Sequence, residues 1–361
     1  MKRNRHIQLY RFIAALLIMI LHWNASRKID GFMGSYVWVE FFFMVSGFLM
    51  ANKILNGAPA AQVSTEAAAK ESWAYTRKKF WGLFPYSLTG SLAMFIGVCA
   101  VSNYQFRDTV QKFVDSFWEM SLLFMSGIGG TNHRYNGQAW FVSALLIVGY
   151  FVYYFFKKHP HFYSRIFAPA SVLLIYAFFW NKYNHLCYAA TFDTVINVEL
   201  ALIRALAGLN LGIICYLVYD RYRSCKPGRA ARAVISVSEL ALLAALIFMM
   251  FKFGYSSYDF IMVAIIAVIA VLAFLDFGYG RKLYDNGFVD FLGKLSMPIY
   301  FNHVFIYSVV LRGSSLQGWL NILAYYSITI FISVCEYLLY EYIRRKFREH
   351  MKCKKEAAIE K

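Results

Sequence analysis

The sequence predicts an all-α polytopic membrane protein with about ten transmembrane helices and both termini in the cytoplasm. Three observations lead to this fold class. Of the 361 residues, 60% are hydrophobic and only 16% are charged, whereas a soluble domain is about 25% charged. Ten apolar segments are long enough to cross a bilayer. Lysine and arginine are concentrated in alternate gaps between these segments, as they are in cytoplasmic loops.

The ten predicted spans follow one another along almost the whole chain. Most of the links between them are short, which is typical of antiparallel helix hairpins. The spans cover residues 7–26, 35–55, 83–102, 138–156, 164–181, 196–219, 231–251, 256–275, 294–311 and 319–343.

The distribution of basic residues sets the orientation. With the N-terminus inside, 27 of the 37 lysines and arginines lie in the cytoplasmic gaps or at the inner ends of the spans and 8 lie in outer gaps, while Arg11 and Arg204 lie deeper within spans. This asymmetry follows the positive-inside rule. It also explains the net charge of +17, because basic inner loops face anionic lipid headgroups. We therefore expect a multi-pass protein of the cell (cytoplasmic) membrane, with membrane lipids as partners and no nucleic acid.

Residues 1–343 form the predicted transmembrane domain. Two segments inside this domain and one after it are not predicted to span. Residues 56–76 are Ala-rich and are predicted to form a cytoplasmic helical linker, supported by the i,i+4 pair Glu66–Lys70. Residues 103–137 form the longest outer loop, and long loops without an obvious structural need are often functional. Residues 344–361 are a basic cytoplasmic tail.

Arg11 and His22 are the two ionisable residues of the first span. Eleven residues on a helix amount to about three turns, so the two side chains share one face, about 16 Å apart along the axis. Ala15 and Ile18 lie between them on that face. Ionisable residues inside a membrane are costly and usually functional. A neutral His22 suits a general base near pH 7, although a histidine that simply bonds a backbone carbonyl is the alternative.

Glu40 lies in the second span at a depth similar to that of His22. The short link between the first two spans predicts that they are neighbours. We therefore expect Glu40 to contact His22, fix its tautomer and raise its basicity, which is how a third group orients a catalytic base. The alternative is a solvated carboxylate at the membrane interface.

Two further groups of cations are candidates for anion binding. Arg77, Lys78 and Lys79 precede the third span, where they either anchor it at the inner surface or bind phosphate. Arg204 lies deep in the sixth span, where it needs a carboxylate partner or an anionic ligand.

The ninth span adds Tyr300 and His303. A buried histidine at this depth either contacts a ligand or packs as a hydrogen-bonded core residue. The sequence has no credible metal-ligand spacing and no phosphate-binding glycine loop, so we expect no metal.

Taken in order, these motifs resemble the integral-membrane acyltransferase 3 family, the bacterial surface-polysaccharide O-acyltransferases. The resemblance covers most of the chain. Gly82 and Leu145 depart from it, standing where many members have Arg and Glu. The matching elements are Arg11 with His22, the acidic-aromatic stretch 40–47, the basic cluster 77–85 that ends in proline, the Trp-led stretch 140–145, 204–212 and 292–303.

The resemblance implies transfer of an acyl group, usually acetyl, from acyl-CoA to a hydroxyl of an extracytoplasmic glycan. Acyl-CoA would be the donor substrate and the glycan or glycolipid the acceptor. The residues then take three roles. The catalytic pair is His22 and Glu40; donor binding falls to Arg11, Arg77, Lys78, Lys79 and Arg204; and the acceptor entrance or pocket is formed by His133, Arg134, Trp140, Tyr300 and His303.

Two other functions fit part of the sequence. A transporter or flippase of a lipid-linked sugar would also have buried charges, but it predicts Gly- or Pro-broken helices in two related halves, and the sequence has no such symmetry. A membrane anchor or sensor without chemistry leaves Arg11, His22, Glu40 and Arg204 unexplained.

Overall fold

The computed structural model describes residues 4–57, 63–102, 105–111, 113, 136–187, 194–195, 198–314, 316 and 318–359. Ten long helices make up most of this part of the chain. They are α1 (Arg5–Arg27), α2 (Trp38–Leu55), α3 (Thr65–Ser102), α4 (Trp140–Lys158), α5 (Ala168–Tyr183), α6 (Leu200–Tyr222), α7 (Arg229–Lys252), α8 (Tyr258–Leu275), α9 (Gly287–Phe305) and α10 (Gly318–Ile359).

Short elements lead into several of these helices. Turns of 3-10 helix precede α2 and α4, a π-helical turn precedes α5, and another follows α9. The outer link before α6 contains a two-residue antiparallel pair, β1 (Thr194–Val195) with β2 (Val198–Glu199). The fold class is therefore all-α apart from this small hairpin.

Nine helices in the described residues are long and apolar enough to cross a membrane. They correspond to nine of the ten predicted spans. The prediction of an all-α polytopic membrane protein is thus confirmed. The tenth predicted span corresponds to α9, whose composition is more polar.

Helix α9 lies in the interior of the bundle, packed against α1, α3 and α10. Its polar residues explain why it is less apolar than the others: Lys294 pairs with Asp290 at 2.9 Å, and Asn302 and His303 are buried. With the π-helical turn Ile306–Val310, the helix runs for 24 residues, or about 36 Å at about 1.5 Å per residue. This length is enough to cross a bilayer.

Helix α3 is continuous from the Ala-rich segment into the third span. Pro85 lies inside it and cannot donate a hydrogen bond to the carbonyl oxygen of Trp81, four residues earlier. The hydroxyl of Tyr340 on α10 donates to that oxygen instead, at 3.2 Å. A side chain from a neighbouring helix thus satisfies the backbone group that proline releases, which is how membrane helices tolerate proline.

Helices α2 and α6 pack with their backbones almost in contact. A Cβ atom added to Gly47 would overlap the carbonyl oxygen of Leu209, and one added to Gly212 would overlap that of Met44. Small residues allow such close approach between membrane helices. The contact fixes the position of Glu40 on α2 relative to Arg204 on α6.

Helix α1 packs mainly along α9, whereas α2 packs mainly along α6. Gly293 makes the first contact possible, because a Cβ there would overlap the side chain of Gln8. From α10, the hydroxyls of Tyr325 and Tyr326 donate to the carbonyl oxygens of Met19 and Leu16, at 3.2 and 2.9 Å. Helix α1 is therefore held from α9 and α10 rather than chiefly from α2.

The N-terminal end of α1 is held by a buried histidine. His6 Nε2 lies 3.0 Å from Glu239 Oε1 on α7, and the same oxygen accepts from the Tyr10 hydroxyl at 2.9 Å. The His6 ring also stacks on Tyr284, with centroids 4.0 Å apart. These contacts fix the position of the helix that carries Arg11 and His22.

Candidate active site

Two cavities lie along α1, one near each end. The cavity at the predicted outer end has a volume of about 290 Å³ and the one at the predicted cytoplasmic end about 740 Å³. His22 lines the outer cavity and Arg11 the inner one. The two residues that the sequence places on one helical face therefore open into different cavities.

The outer cavity is lined mainly by aliphatic and aromatic side chains, with a few polar groups. Such a composition is typical of small-molecule sites, where aromatic walls surround a few oriented polar groups. Its lining residues come from α1, α2, α4, α6, α9 and the links between them: Ile18, Leu21, His22, Ala25, Tyr36, Val39, Gly137, Gln138, Trp140, Arg204, Tyr255 and Tyr300.

The side chain of Gln138 lies close enough to His22 to interact with its imidazole, and both residues line the outer cavity. Gln138 lies in the 3-10 turn Gly137–Ala139 that leads into α4. Two bonds connect this turn to α9: the Tyr300 hydroxyl donates to the Gln138 carbonyl oxygen at 2.7 Å, and Asn136 Nδ2 donates to the Phe301 carbonyl oxygen at 3.0 Å. The amide that contacts His22 is thus presented by a fixed turn.

Gln138 was not among the residues expected from the sequence. The signal available was a polar side chain two residues before Trp140, at the outer end of a span. A glutamine amide can either donate to or accept from an imidazole nitrogen, so it can fix one tautomer of His22 without adding charge.

His303 lies behind His22, with ring centroids 5.1 Å apart. Its side chain is completely buried, and its Nδ1 lies 3.2 Å from the carbonyl oxygen of Ile299. Its Nε2 has no hydrogen-bond partner among the described residues. His303 therefore packs against the candidate base, whereas Tyr300 lines the cavity itself.

Glu40 does not reach His22. One of its oxygens, Oε1, accepts from Arg204 Nε at 2.6 Å, and the other, Oε2, accepts from the Tyr176 hydroxyl at 2.8 Å. Both members of the ion pair are buried, with side chains 0% and 2% exposed. The expected contact between Glu40 and His22 is therefore wrong, because Glu40 faces α6 and α5 rather than α1.

Arg204 is the centre of a buried network behind the outer cavity. Besides Glu40, it donates to the carbonyl oxygens of Leu186 at 2.7 Å and Tyr36 at 3.4 Å. Its guanidinium also lies 5.3 Å from the ring centroid of Trp140, within the range of a cation–π contact. Of the two partners considered for Arg204, the structure provides the carboxylate. The cation therefore supports the cavity wall, at the end opposite to the predicted donor site.

A carboxylate at the start of α8 supports the same wall. Asp259 Oδ2 accepts from the Tyr36 hydroxyl at 2.6 Å and from the backbone N–H of Leu186 at 2.7 Å. Burial lowers the pKa of His185 and raises that of the Tyr255 phenol. The centroids of these two rings lie 6.3 Å apart.

The inner cavity brings together cations from four helices. Arg11, Lys78 and Lys79 line it, as do Lys294 from α9 and Arg344 from α10, against the single acidic residue Glu341. Clustered cations of this kind bind phosphate through charge-assisted hydrogen bonds. The predicted donor-binding residue Arg77 is not among the lining residues.

Two cations that line the inner cavity, Lys294 and Arg344, were not predicted from the sequence as donor-binding residues. They were missed because they lie more than 200 residues from Arg11 in the chain. Lys79 Nζ donates to Ser46 Oγ at 3.1 Å, which connects α3 to α2 at the cavity floor. Exposed Trp81 and half-buried Tyr337 add aromatic surface.

Aromatic side chains separate the two cavities. Phe42 and Phe141 line the inner cavity, while Tyr300 lines the outer one. Phe141 packs edge-on against both neighbours, with centroid distances of 5.8 Å to Phe42 and 5.9 Å to Tyr300. We call Phe42, Phe141 and Tyr300 the aromatic septum. On α1, Ala15 is buried in a hydrophobic cluster that α1 shares with α9 and α10.

The remaining expectations lie partly outside the described residues. His133 and Arg134, expected at the acceptor entrance, fall in the segment 114–135, which the structure does not describe. Trp140 lines the outer cavity. Among the described residues, no three His, Cys, Asp or Glu side chains are grouped to hold a metal ion.

Comparison with known protein families decides the broad class. The model of a family described as an acyltransferase domain matches residues 4–340, nearly the whole chain. The chain belongs to the integral-membrane acyltransferase 3 family. No curated protein and no solved structure matches it. Family membership makes this acyltransferase 3 protein a multi-pass transferase of acyl groups, and it gives no support to the flippase or to the anchor without chemistry.

Proposed function

We propose that this acyltransferase 3 protein moves an acyl group, in the simplest case acetyl, from cytoplasmic acyl-CoA to a hydroxyl of an extracytoplasmic glycan. The observation that carries the proposal is the placement of two unlike cavities on one helix. Arg11 opens into a large basic cavity and His22 into a small aromatic one. The separation expected for the pair along α1 is about 16 Å.

The inner cavity suits the donor by charge. Coenzyme A carries a diphosphate and a ribose phosphate, and five cations face one carboxylate in this cavity. Charge-assisted bonds from Lys and Arg are the usual means of binding phosphate. An extended pantetheine arm has a length of the same order as the rise from Arg11 to His22, so an arm that passes between the rings of the aromatic septum would bring the thioester to His22.

The outer cavity suits a polar acceptor. Its aromatic rings offer apolar faces, while His22, Gln138 and Arg204 offer polar groups. In the reaction, His22 takes the proton of the acceptor hydroxyl, and the oxygen attacks the thioester carbonyl carbon. The carbon–sulfur bond breaks, and the thiolate of coenzyme A takes the proton from the His22 imidazolium. The products are the glycan ester and free coenzyme A.

Gln138 replaces Glu40 as the group that orients His22 in this scheme. The amide keeps the imidazole in one tautomer, and the Tyr300 hydroxyl holds the turn that carries it. Glu40 acts at a distance from the reaction, through the ion pair that supports the cavity wall.

The test uses purified protein in detergent with radiolabelled acetyl-CoA and surface glycan prepared from cells that lack the gene. We expect label in the glycan with the wild type and at least a hundredfold less with His22→Ala, because general-base catalysis is worth about 10²–10⁴. His350→Ala, in the exposed part of α10, is the matched control and should transfer normally. Wild-type rates in His22→Ala, or no transfer by the wild type, would refute the proposal.

A further inference from the structure

Tyr255 lies at the mouth of the outer cavity, in the link between α7 and α8. It lines the cavity with its side chain 49% exposed. Its backbone has φ of 54°, in the left-handed region. A bulky residue rarely adopts this conformation, and such strained residues persist only where their surroundings hold them, often at functional sites. The surroundings of Tyr255 therefore show what its position depends on.

Tyr36 holds Tyr255 in place. The Tyr36 hydroxyl accepts from the backbone N–H of Tyr255 at 3.0 Å and donates to Asp259 Oδ2 at 2.6 Å. The two tyrosine rings are stacked, with centroids 5.7 Å apart and planes 13° from parallel. Buried Asp259 thus fixes Tyr36, and Tyr36 fixes both the backbone and the ring of Tyr255. The result is a rigid aromatic pair with one half-exposed member.

The pair lies on the wall that faces the candidate base. Tyr36, Tyr255 and His22 all line one cavity of about 290 Å³, a size at the lower end of ligand sites, which start at roughly 300 Å³. A cavity of this size admits one or two rings and leaves the remainder of a polymer outside. Tyr255, at the mouth, is therefore where a longer acceptor would first contact the protein.

We infer that Tyr255, held in place by Tyr36, forms a stacking platform for a sugar ring of the acceptor on the ring face turned away from Tyr36, positioned so that one hydroxyl of that ring or of its neighbour reaches His22. This inference rests on the proposed function and specifies how its acceptor is recognised. The face of an aromatic ring is electron-rich, and one face of a pyranose presents a cluster of C–H groups that packs against it. The sugar hydroxyls point outward from this contact, toward the polar groups of His22 and Gln138.

The chemistry of the cavity favours a sugar over a hydrocarbon chain. The walls that a lipid tail would need are found elsewhere, in a mainly apolar groove between α4, the segment that precedes α5, and α6, which includes Phe151 and Leu206. Beside the tyrosine pair, by contrast, lie an imidazole, an amide and a guanidinium. A ligand with both an apolar face and hydroxyl groups satisfies both kinds of surface.

Tyr255→Gly tests the platform without harming the fold. Glycine adopts a positive φ at no steric cost, so this variant removes the ring and also relieves the backbone. We expect the KM for the glycan, prepared from cells that lack the gene, to rise about tenfold, while kcat and the KM for acetyl-CoA stay within twofold. Tyr255→Phe keeps the ring, and its KM for the glycan should stay within twofold of the wild type.

Tyr258→Ala is the control, because this exposed tyrosine is close in the chain but does not line the cavity. Thermal unfolding in detergent should show Tyr255→Gly to be at least as stable as the wild type. An unchanged KM for the glycan in Tyr255→Gly would overturn the platform, and so would equal increases in the KM values for glycan and acetyl-CoA. Failure of the wild type to acylate the glycan would instead refute the proposed function.

Discussion

The buried ion pair between Glu40 and Arg204 offers the clearest contrast between a structural and a catalytic role. Both side chains are almost fully excluded from solvent, and the Nε–Oε1 distance is 2.6 Å. Removal of one partner from such a pair leaves an uncompensated buried charge and costs about 3–5 kcal/mol. We therefore expect both Glu40→Gln and Arg204→Met to be strongly destabilised.

The assay is thermal unfolding of purified protein in detergent. At roughly 2 °C per kcal/mol for a chain of this size, each single variant should unfold about 6–10 °C below the wild type. The double variant should be more stable than either single one, because it leaves neither charge buried without its partner. It should still remain below the wild type, since the bonds from Arg204 to Leu186 and Tyr36 are lost. Glu66→Gln, at an exposed carboxylate on α3, is the control and should change the free energy of unfolding by less than about 0.5 kcal/mol.

The result that would refute this reasoning is a stable but inactive Glu40→Gln. If Glu40 oriented His22, its amide variant would keep the unfolding temperature of the wild type and lose kcat, and the pH profile of the remaining activity would change. If Arg204 bound the donor, Arg204→Met would instead raise the KM for acetyl-CoA at unchanged stability.

Three further predictions follow from the two cavities. Gln138→Ala should lower kcat about tenfold with unchanged KM for acetyl-CoA, since one hydrogen bond contributes about 0.5–1.5 kcal/mol; equal kcat values would show that the amide does not orient His22. Lys79→Ala and Lys294→Ala should each raise the KM for acetyl-CoA about tenfold or more, whereas exposed Lys70→Ala should not, and isothermal titration with coenzyme A would detect an unchanged affinity that contradicts this. Phe141→Leu should open the aromatic septum and raise acetyl-CoA hydrolysis in the absence of glycan several-fold; a rate equal to that of the wild type would show that the septum does not hold back water.

Much of the fold could be predicted from the sequence because the membrane imposes strong rules. Apolar length and the distribution of basic residues identify spans without any knowledge of packing. The ends of helices were less predictable. Helix α3 begins at Thr65 rather than near residue 83, because the Ala-rich segment continues into the span and Tyr340 compensates for Pro85.

The partner of His22 could not be predicted by the same means. Span order predicts that Glu40 lies at a depth similar to that of His22, but depth does not determine which helix a side chain faces. The packing of α1 on α9 depends on Gly293, and that of α2 on α6 depends on Gly47 and Gly212. Once α2 packs on α6, the carboxylate of Glu40 faces Arg204.

The inner cavity shows the same limit. Arg11, Lys78 and Lys79 could be proposed as donor-binding residues from local sequence, because each lies at the predicted cytoplasmic end of a span. Lys294 and Arg344 occupy similar positions on α9 and α10, but only the three-dimensional arrangement shows that they face the same cavity.

The central claim is that the acyl group passes from one side of the membrane to the other along α1, and sealed inside-out membrane vesicles test it most directly. Surface glycan is trapped inside the vesicles and radiolabelled acetyl-CoA, which cannot cross the bilayer, is added outside. We predict glycan-bound label inside vesicles that contain the wild type and none with His22→Ala at equal protein content. Label on glycan only when both substrates are on the same side, or equal label with His22→Ala, would contradict the account.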